Sequence, residues 1–260
     1  MIKLPWVIRF EEDAKTFAET IGQKLKPDLL AVKKLSLDSI LKRAVSQKQY
    51  DIYHSTTIEG YAITPEDVEA VILGRGAKEE ESLEKLRNKM AIVGHSRAFE
   101  YVIGKIKDDS GHAKLSEDLI SEIYFQLFKP SVDAKIIDRF DLVGFRKIKV
   151  YIRNSRYVPP SFEKVTDMMN SFLHFINGIE NNLIKAILAH YFFVTIHPYP
   201  DGNGRCGRLL MNYLLAASGY HWITITSEKR DLYFQSLQDG QLDSNILPFA
   251  EFILSFFQND

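Results

Sequence analysis

Two apolar stretches of helical length, residues 183–196 and 209–215, are separated by twelve residues rich in proline and glycine: His197-Pro198-Tyr199-Pro200-Asp201-Gly202-Asn203-Gly204-Arg205-Cys206-Gly207-Arg208. The chain is predicted to fold here as helix, loop, helix, with the loop running into the start of the second helix. A helix start presents unpaired backbone N–H groups and the positive end of the macrodipole. Gly202 and Gly204 carry no side chain, so an anion can approach those amides closely. Arg205 and Arg208, three apart, share one face of the new helix and offer two forked cations suited to phosphate oxygens. Asp201 is a hard oxygen ligand of the kind that takes a magnesium ion arriving with a polyphosphate. His197, at the mouth of the loop, can take a proton near neutral pH.

Each of these residues alone also fits a plainer reading, a polar turn with His197 as a core histidine. Their order in one segment does not. It resembles the signature of the Fic (Fido) family, His-x-Phe-x-Asp/Glu-Gly-Asn-Gly-Arg-x-x-Arg, with Tyr199 where phenylalanine is usual. The resemblance implies a mainly α fold: a Fic-type helical core with a small β-hairpin flap, preceded by an N-terminal helical segment. It implies that His197 is the catalytic base and Asp201 the Mg²⁺ ligand. It makes Gly202, Asn203, Gly204, Arg205, Gly207 and Arg208 the ATP-phosphate binders.

The upstream chain carries a second match. Ser55-Thr56-Thr57-Ile58-Glu59-Gly60 ends a predicted helical run over residues 40–58, with Gly60 as its stop signal. A carboxylate in the last turn opposes the macrodipole by about 0.3–1 kcal/mol, so Glu59 needs a cation if it is partly buried. The segment resembles the family's inhibitory motif, Ser/Thr-x-x-x-Glu-Gly/Asn, at Ser55, Glu59 and Gly60. The resemblance implies that Glu59 pairs with Arg208 and takes the place that arginine would give to the γ-phosphate.

Elsewhere, residues 1–10 show no helical period and read as extended. Thr64-Pro65-Glu66-Asp67 and Ser116-Glu117-Asp118 are helix starts. The charged run 78–89 reads as a solvated helix face. Residues 108–111 read as a linker, dividing an N-terminal helical region (1–110) from a catalytic domain (111–260). Ile148, Val150 and Ile152 alternate with Lys149, Tyr151 and Arg153, which predicts a hairpin within 143–160 turning at Asn154-Ser155. By resemblance, this hairpin, led by Gly144-Phe145-Arg146, is the flap that holds a target segment by strand addition. Val150 and Tyr151 are then neighbours of the nucleotide, and Tyr233, in a segment like the family's Tyr-Tyr-x-x-Leu, borders the adenine.

Length and charge narrow the function classes. The 260 residues can bury a sizeable core, and a net charge of −1 gives no general affinity for nucleic acid or anionic membrane. The single cysteine, Cys206, excludes an internal disulfide and reads as packing; with no secretory segment and no spanning run, a cytoplasmic location is expected. By resemblance, the expected activity is transfer of AMP from ATP to a Thr, Ser or Tyr hydroxyl of a target protein, throttled by Glu59. Three alternatives stay open: removal of AMP from a modified protein, transfer of another nucleotide such as UMP, and a nucleotide-responsive binding module with little turnover. A homo-oligomer is also open.

Overall fold

A stretch that is apolar on all sides must lie at the centre of its neighbours. The computed structural model, which describes residues 4–75, 82–153 and 155–258, has twelve α-helices among those residues. They are α1 (Pro5–Lys24), α2 (Lys26–Ala31), α3 (Leu37–Ser46), α4 (Lys48–Ile58), α5 (Pro65–Ile72), α6 (Leu83–Asp108), α7 (Glu117–Asp133), α8 (Val165–Gly178), α9 (Asn182–Ile196), α10 (Asn203–Ala217), α11 (Arg230–Asp243) and α12 (Leu247–Leu254). Every residue from Leu183 to Val194 is buried, and so is every residue of α10 except Gly204. The α9–α10 pair is therefore the axis. Helices α6 and α7 pack on the α10 side, α8 and α1 on the α9 side, and α4 bridges α6 and α10.

Local chemistry sets several helix starts. The side chains of Ser36, Ser82 and Ser116 accept from the amides of Ser39, Lys85 and Leu119. Thr64 and Asp67 form a reciprocal capping box behind Pro65.

Three expectations are corrected. Residues 5–10 are not extended: Pro5 sits in the first turn of α1, where its missing N–H costs nothing. Val7, Phe10, Ala14, Phe17 and Ile21 then form one buried stripe, a period that only shows across the whole of α1; residues 1–3 lie outside the described residues. The single helix expected over 40–58 is two, divided at Gln47, whose amide closes α3 on Ala44 while its carbonyl opens α4 to Asp51. The two halves serve different cores. Ile40 and Ala44 enter the main cluster, which runs from Phe10 to Leu254, whereas Ile52 joins a small one with Ile63, Val68 and Ile92.

The third correction concerns the flap. No strand forms among the described residues, and 143–153 and 155–160 are loop. Arg146 explains it. Its buried guanidinium takes the carbonyls of Ile148 and Pro160, and its amide binds the carbonyl of Pro198, so groups a ladder would need are already committed. The turn at Asn154-Ser155 and residues 78–81 of the charged run fall on or against positions outside the described residues; α6 begins just after, at Leu83.

A buried carboxylate fixes α4. Asp51 Oδ1 accepts from Trp222 Nε1 and Thr224 Oγ1, both at 2.9 Å, and Oδ2 accepts from His95 Nε2 at 3.0 Å. Replacing Asp51 by alanine strands buried donors from two other parts of the chain. We expect Asp51→Ala to cost about 3 kcal/mol or more, lowering Tm by about 6–12 °C in calorimetry.

Candidate active site

The site is built where the end of α9, the start of α10 and the end of α4 meet. Helix α9 stops at His197, whose left-handed backbone (φ 55°, ψ 59°) turns the chain out of the helix. Arg146 Nε donates to the His197 carbonyl at 2.8 Å and holds that turn. His197 Nδ1 lies 3.1 Å from the carbonyl of Val194. A carbonyl only accepts, so Nδ1 carries a proton, and in the neutral ring Nε2 is then the free base. Burial pushes the His197 pKa below its usual value, against smaller upward pulls from the Val194 carbonyl and Glu59. The ring is held neutral, as a base must be.

The loop after His197 is locked from inside. Asn203 is 1% exposed; its side-chain oxygen accepts from the Tyr199 amide at 2.9 Å and its NH₂ donates to the Tyr199 carbonyl at 2.8 Å. Its side chain is thus committed to the loop, not to a phosphate as the resemblance implied. Tyr199 stacks on Tyr124 at 3.7 Å between ring centres. Gly202 has φ 77°, and a Cβ there would meet the Phe128 ring at 2.5 Å. Gly207 is also reassigned. A Cβ at Gly207 would lie 2.7 Å from His190 Nδ1 and 2.9 Å from Val194 Cγ1, so its bareness lets α9 and α10 close.

Both signature arginines are buried. Arg205 is clamped between the rings of Tyr61 and Phe128, each 5.0 Å from the guanidinium carbon. Its Nη2 donates to the Tyr61 hydroxyl at 3.3 Å and lies 3.7 Å from Asp201 Oδ2. Arg208 reaches α4: Nε donates to Ser55 Oγ at 2.9 Å, and Nη2 donates to the Ser55 carbonyl and to Glu59 Oε1, both at 2.7 Å. Burial opposes the Arg208 charge, and the Glu59 carboxylate together with Tyr233 more than restores it, so its pKa is raised. Beneath it, the Tyr233 hydroxyl lies 2.8 Å from His190 Nε2; burial, with Arg208 adding, pushes His190 down to about 3. Tyr233 is 1% exposed, so it offers the cleft only an edge.

Glu59 also lies against the first turn of α10. A Cβ on Gly204 would fall 2.1 Å from Glu59 Oε1, so only glycine leaves room for the carboxylate there. The first-turn amides of α10 have no intrahelical acceptor, and Glu59 brings a negative charge to that end of the helix.

Two connected lobes form the cleft, of about 440 and 270 Å³. Glu59, His197, Gly204, Ile152, Arg153 and Arg230 line both. The first lobe runs along Asp201–Gly202–Asn203, and the second along α11 at Tyr233, Leu237 and Gln241. Tyr151 lines the first lobe and is 68% exposed; Val150 lies beside it, partly buried, and the loop's inner contacts come from Ile152 and Arg153. Tyr61, Arg153 and Arg230 were not read from the sequence as site residues. Tyr61 had a signal, an aromatic directly after Gly60, whereas Arg230 is visible only through its contacts.

Among the described residues no group of three or more His, Cys, Asp or Glu side chains could hold a metal. Asp201 fits a different kind of site. Its side chain is 59% exposed at the mouth of the first lobe, with Oδ1 accepting from the Gly202 amide and Oδ2 lying 3.4 Å from the Tyr61 hydroxyl and 3.7 Å from Arg205 Nη2. One such carboxylate suits a hard cation that keeps its waters and shares phosphate oxygens.

Comparison with known proteins agrees with this geometry. Residues 114–215 match the model of the Fic/DOC family. The chain is 31% identical over 223 residues to a protein adenylyltransferase Fic of Drosophila grimshawi, covering 83% of this chain and 43% of the relative. It is 31% identical over 218 residues to that of Aedes aegypti, covering 82% and 41%. The chain thus spans about two fifths of the length of these curated relatives. Among solved structures, Fic-1 from C. elegans has a TM-score of 0.71 at 21% identity, covering 93% of this chain and 69% of that one. A Fic domain containing signaling protein from Bacteroides thetaiotaomicron has a TM-score of 0.68 at 22% identity, covering 95% and 91%. Among the described residues no helix is long and apolar enough to cross a membrane. With the signature intact in sequence and assembled in space, residues 114–215 are a domain of the Fic/DOC family.

Proposed function

We propose that this chain transfers AMP from ATP to a hydroxyl side chain of a target protein and that Glu59 holds the activity down. The carrying observation is the Glu59 carboxylate seated on Arg208 and Gly204, in the same cleft as His197. Relatives named protein adenylyltransferase Fic support the choice of reaction. In this reading residues 111–260 carry the chemistry and residues 1–110 carry the control.

The triphosphate enters the first lobe along Asp201–Gly204, and the nucleoside takes the second, against α11. His197 Nε2 accepts the proton of the target hydroxyl as its oxygen forms a bond to the α-phosphorus, and the bond to pyrophosphate breaks. The first-turn amides of α10 and the Arg208 guanidinium offset the charge on the phosphates once Glu59 has left. Mg²⁺ held by Asp201 would supply further charge neutralisation on phosphate oxygens. Arg205, clamped under the loop, keeps Asp201 and Tyr61 in place. The target segment lies along the 148–158 loop, where Ile148, Tyr151 and Val158 stand exposed. Strand addition there would order a segment that has no ladder of its own.

The seat of Glu59 beside His197 favours one second reading. Glu59 would orient water and the enzyme would remove AMP; release of free AMP from an AMP-modified target by wild-type protein tests it.

With α-labelled ATP and Mg²⁺, Glu59→Gly protein is expected to label itself or a partner at least tenfold faster than wild type, the scale of losing a charge-assisted contact. His197→Ala in that background should return labelling to the blank; equal labelling would remove His197 as base. The pH profile follows from the depressed His197 pKa. A base whose pKa is lowered stays neutral below the usual value, so the acid limb of kcat/KM for Glu59→Gly should lie below the 6.5 of a free imidazole. An acid limb above 6.5 would assign the titration to another group.

A further inference from the structure

We propose that Arg230 is the positioning residue that seats Glu59, and that nucleotide occupancy and inhibition compete for its guanidinium. This rests on the reading above and extends it to a residue outside both sequence motifs.

Arg230 opens α11, the wall of the second lobe. Its Nε donates at 3.0 Å to the carbonyl of Ile58, the last residue of α4 and the one before Glu59. Carbonyls in a last helical turn have no intrahelical donor and carry the negative end of the dipole. The Arg230 contact therefore satisfies one of them and offsets the misplacement of a glutamate at that helix end. The guanidinium lies over the Phe234 ring, 4.6 Å from its centre, and its other recorded partner is Asp231, 3.5 Å away and almost fully exposed. One turn along α11, Tyr233 stands 6.0 Å from the Arg208 guanidinium. A single helix thus reaches both sides of the Glu59–Arg208 pair, Arg230 through the Ile58 carbonyl next to Glu59 and Tyr233 through its ring facing the Arg208 guanidinium.

Arg230 also lines both lobes of the cleft. A phosphate oxygen is a stronger acceptor for a guanidinium than a peptide carbonyl. A nucleotide that drew Arg230 to itself would free the Ile58 carbonyl and loosen the seat of Glu59. Linkage makes the effect reciprocal: a seated Glu59 lowers nucleotide affinity through the same side chain.

The test places Arg230→Ala and Arg230→Lys in the wild-type and Glu59→Gly backgrounds. It reads initial labelling rates over a range of ATP concentrations and, separately, Mg·ADP binding by calorimetry. In the wild-type background Arg230→Ala is expected to raise kcat about tenfold, the scale of one hydrogen bond to a charged group, with Arg230→Lys between. In Glu59→Gly, where there is no seat to loosen, the rise in kcat should be absent and KM should rise. A kcat change of the same factor in both backgrounds, or a fall in wild type, would make Arg230 a cleft contact alone and overturn the inference. If Glu59→Gly does not transfer AMP, the reaction assignment fails, and Mg·ADP binding still judges Arg230. A smaller loss of affinity on Arg230→Ala in wild type than in Glu59→Gly upholds the competition, and equal losses refute it.

Discussion

A guanidinium sunk beside the first turn of a helix sits in a field that is already positive, and it has to be met by an anion. Arg208 is in that position, 4% exposed, with buried Arg205 one turn before it on the same helix. Glu59 meets it from 149 residues upstream. Glu59 has the complementary difficulty, a carboxylate at the negative end of α4. Bringing the end of α4 onto the start of α10 relieves both at once: each helix end receives the charge it lacks, and the two side chains neutralise each other. Removing one partner of such a pair strands the other at a cost of about 3–5 kcal/mol. The cleft is the space left around that meeting, so its geometry and the proposed inhibition have the same origin.

The remaining site residues hold this junction in place. His197 must leave α9 in a left-handed turn, which for a histidine is strained, and Arg146 fixes that turn through the His197 carbonyl and the Pro198 carbonyl. Asn203 closes the loop on Tyr199, and Tyr61 links Asp201 to Arg205 from the segment just after Glu59. Asp51 ties α4 to α6 and to the 222–224 segment. Helix α4 is thereby part of the same polar framework as the His197–Asn203 loop, an arrangement that suits the proposed side-chain lock better than a detachable lid.

Most of the site was legible because it is local. The order His197, Asp201, Gly202, Gly204, Arg208 lies in twelve residues, and helix starts at Thr64 and Ser116 announce themselves by capping chemistry. What was misread depends on partners far along the chain. Gly207 is adjacent in sequence to the positions proposed for phosphate, yet its bareness is required by His190 and Val194 on α9. Alternation over 148–153 is a genuine strand signal, overridden because Arg146 takes the carbonyls a hairpin would pair. The break at Gln47 has no breaker residue at all; it is imposed by two cores that ask different faces of one periodic sequence to turn inward.

That origin also limits what can release the lock. A ligand shifts an equilibrium only by its differential affinity for the two states. A nucleoside lodged along α11 that leaves Glu59 seated contributes nothing to release, however tightly it binds. Only groups that require Arg208, Gly204 or the Ile58 carbonyl to change partner can do so, which in ATP means the phosphates. If the open state were populated at about one per cent, apparent affinity for the triphosphate would fall by about a hundredfold, while ligands indifferent to Glu59 would bind undiminished. Under the proposed function, such a lock would discriminate among nucleotides by phosphate number without any contact to the base, using a carboxylate that the fold supplies for its own electrostatic balance.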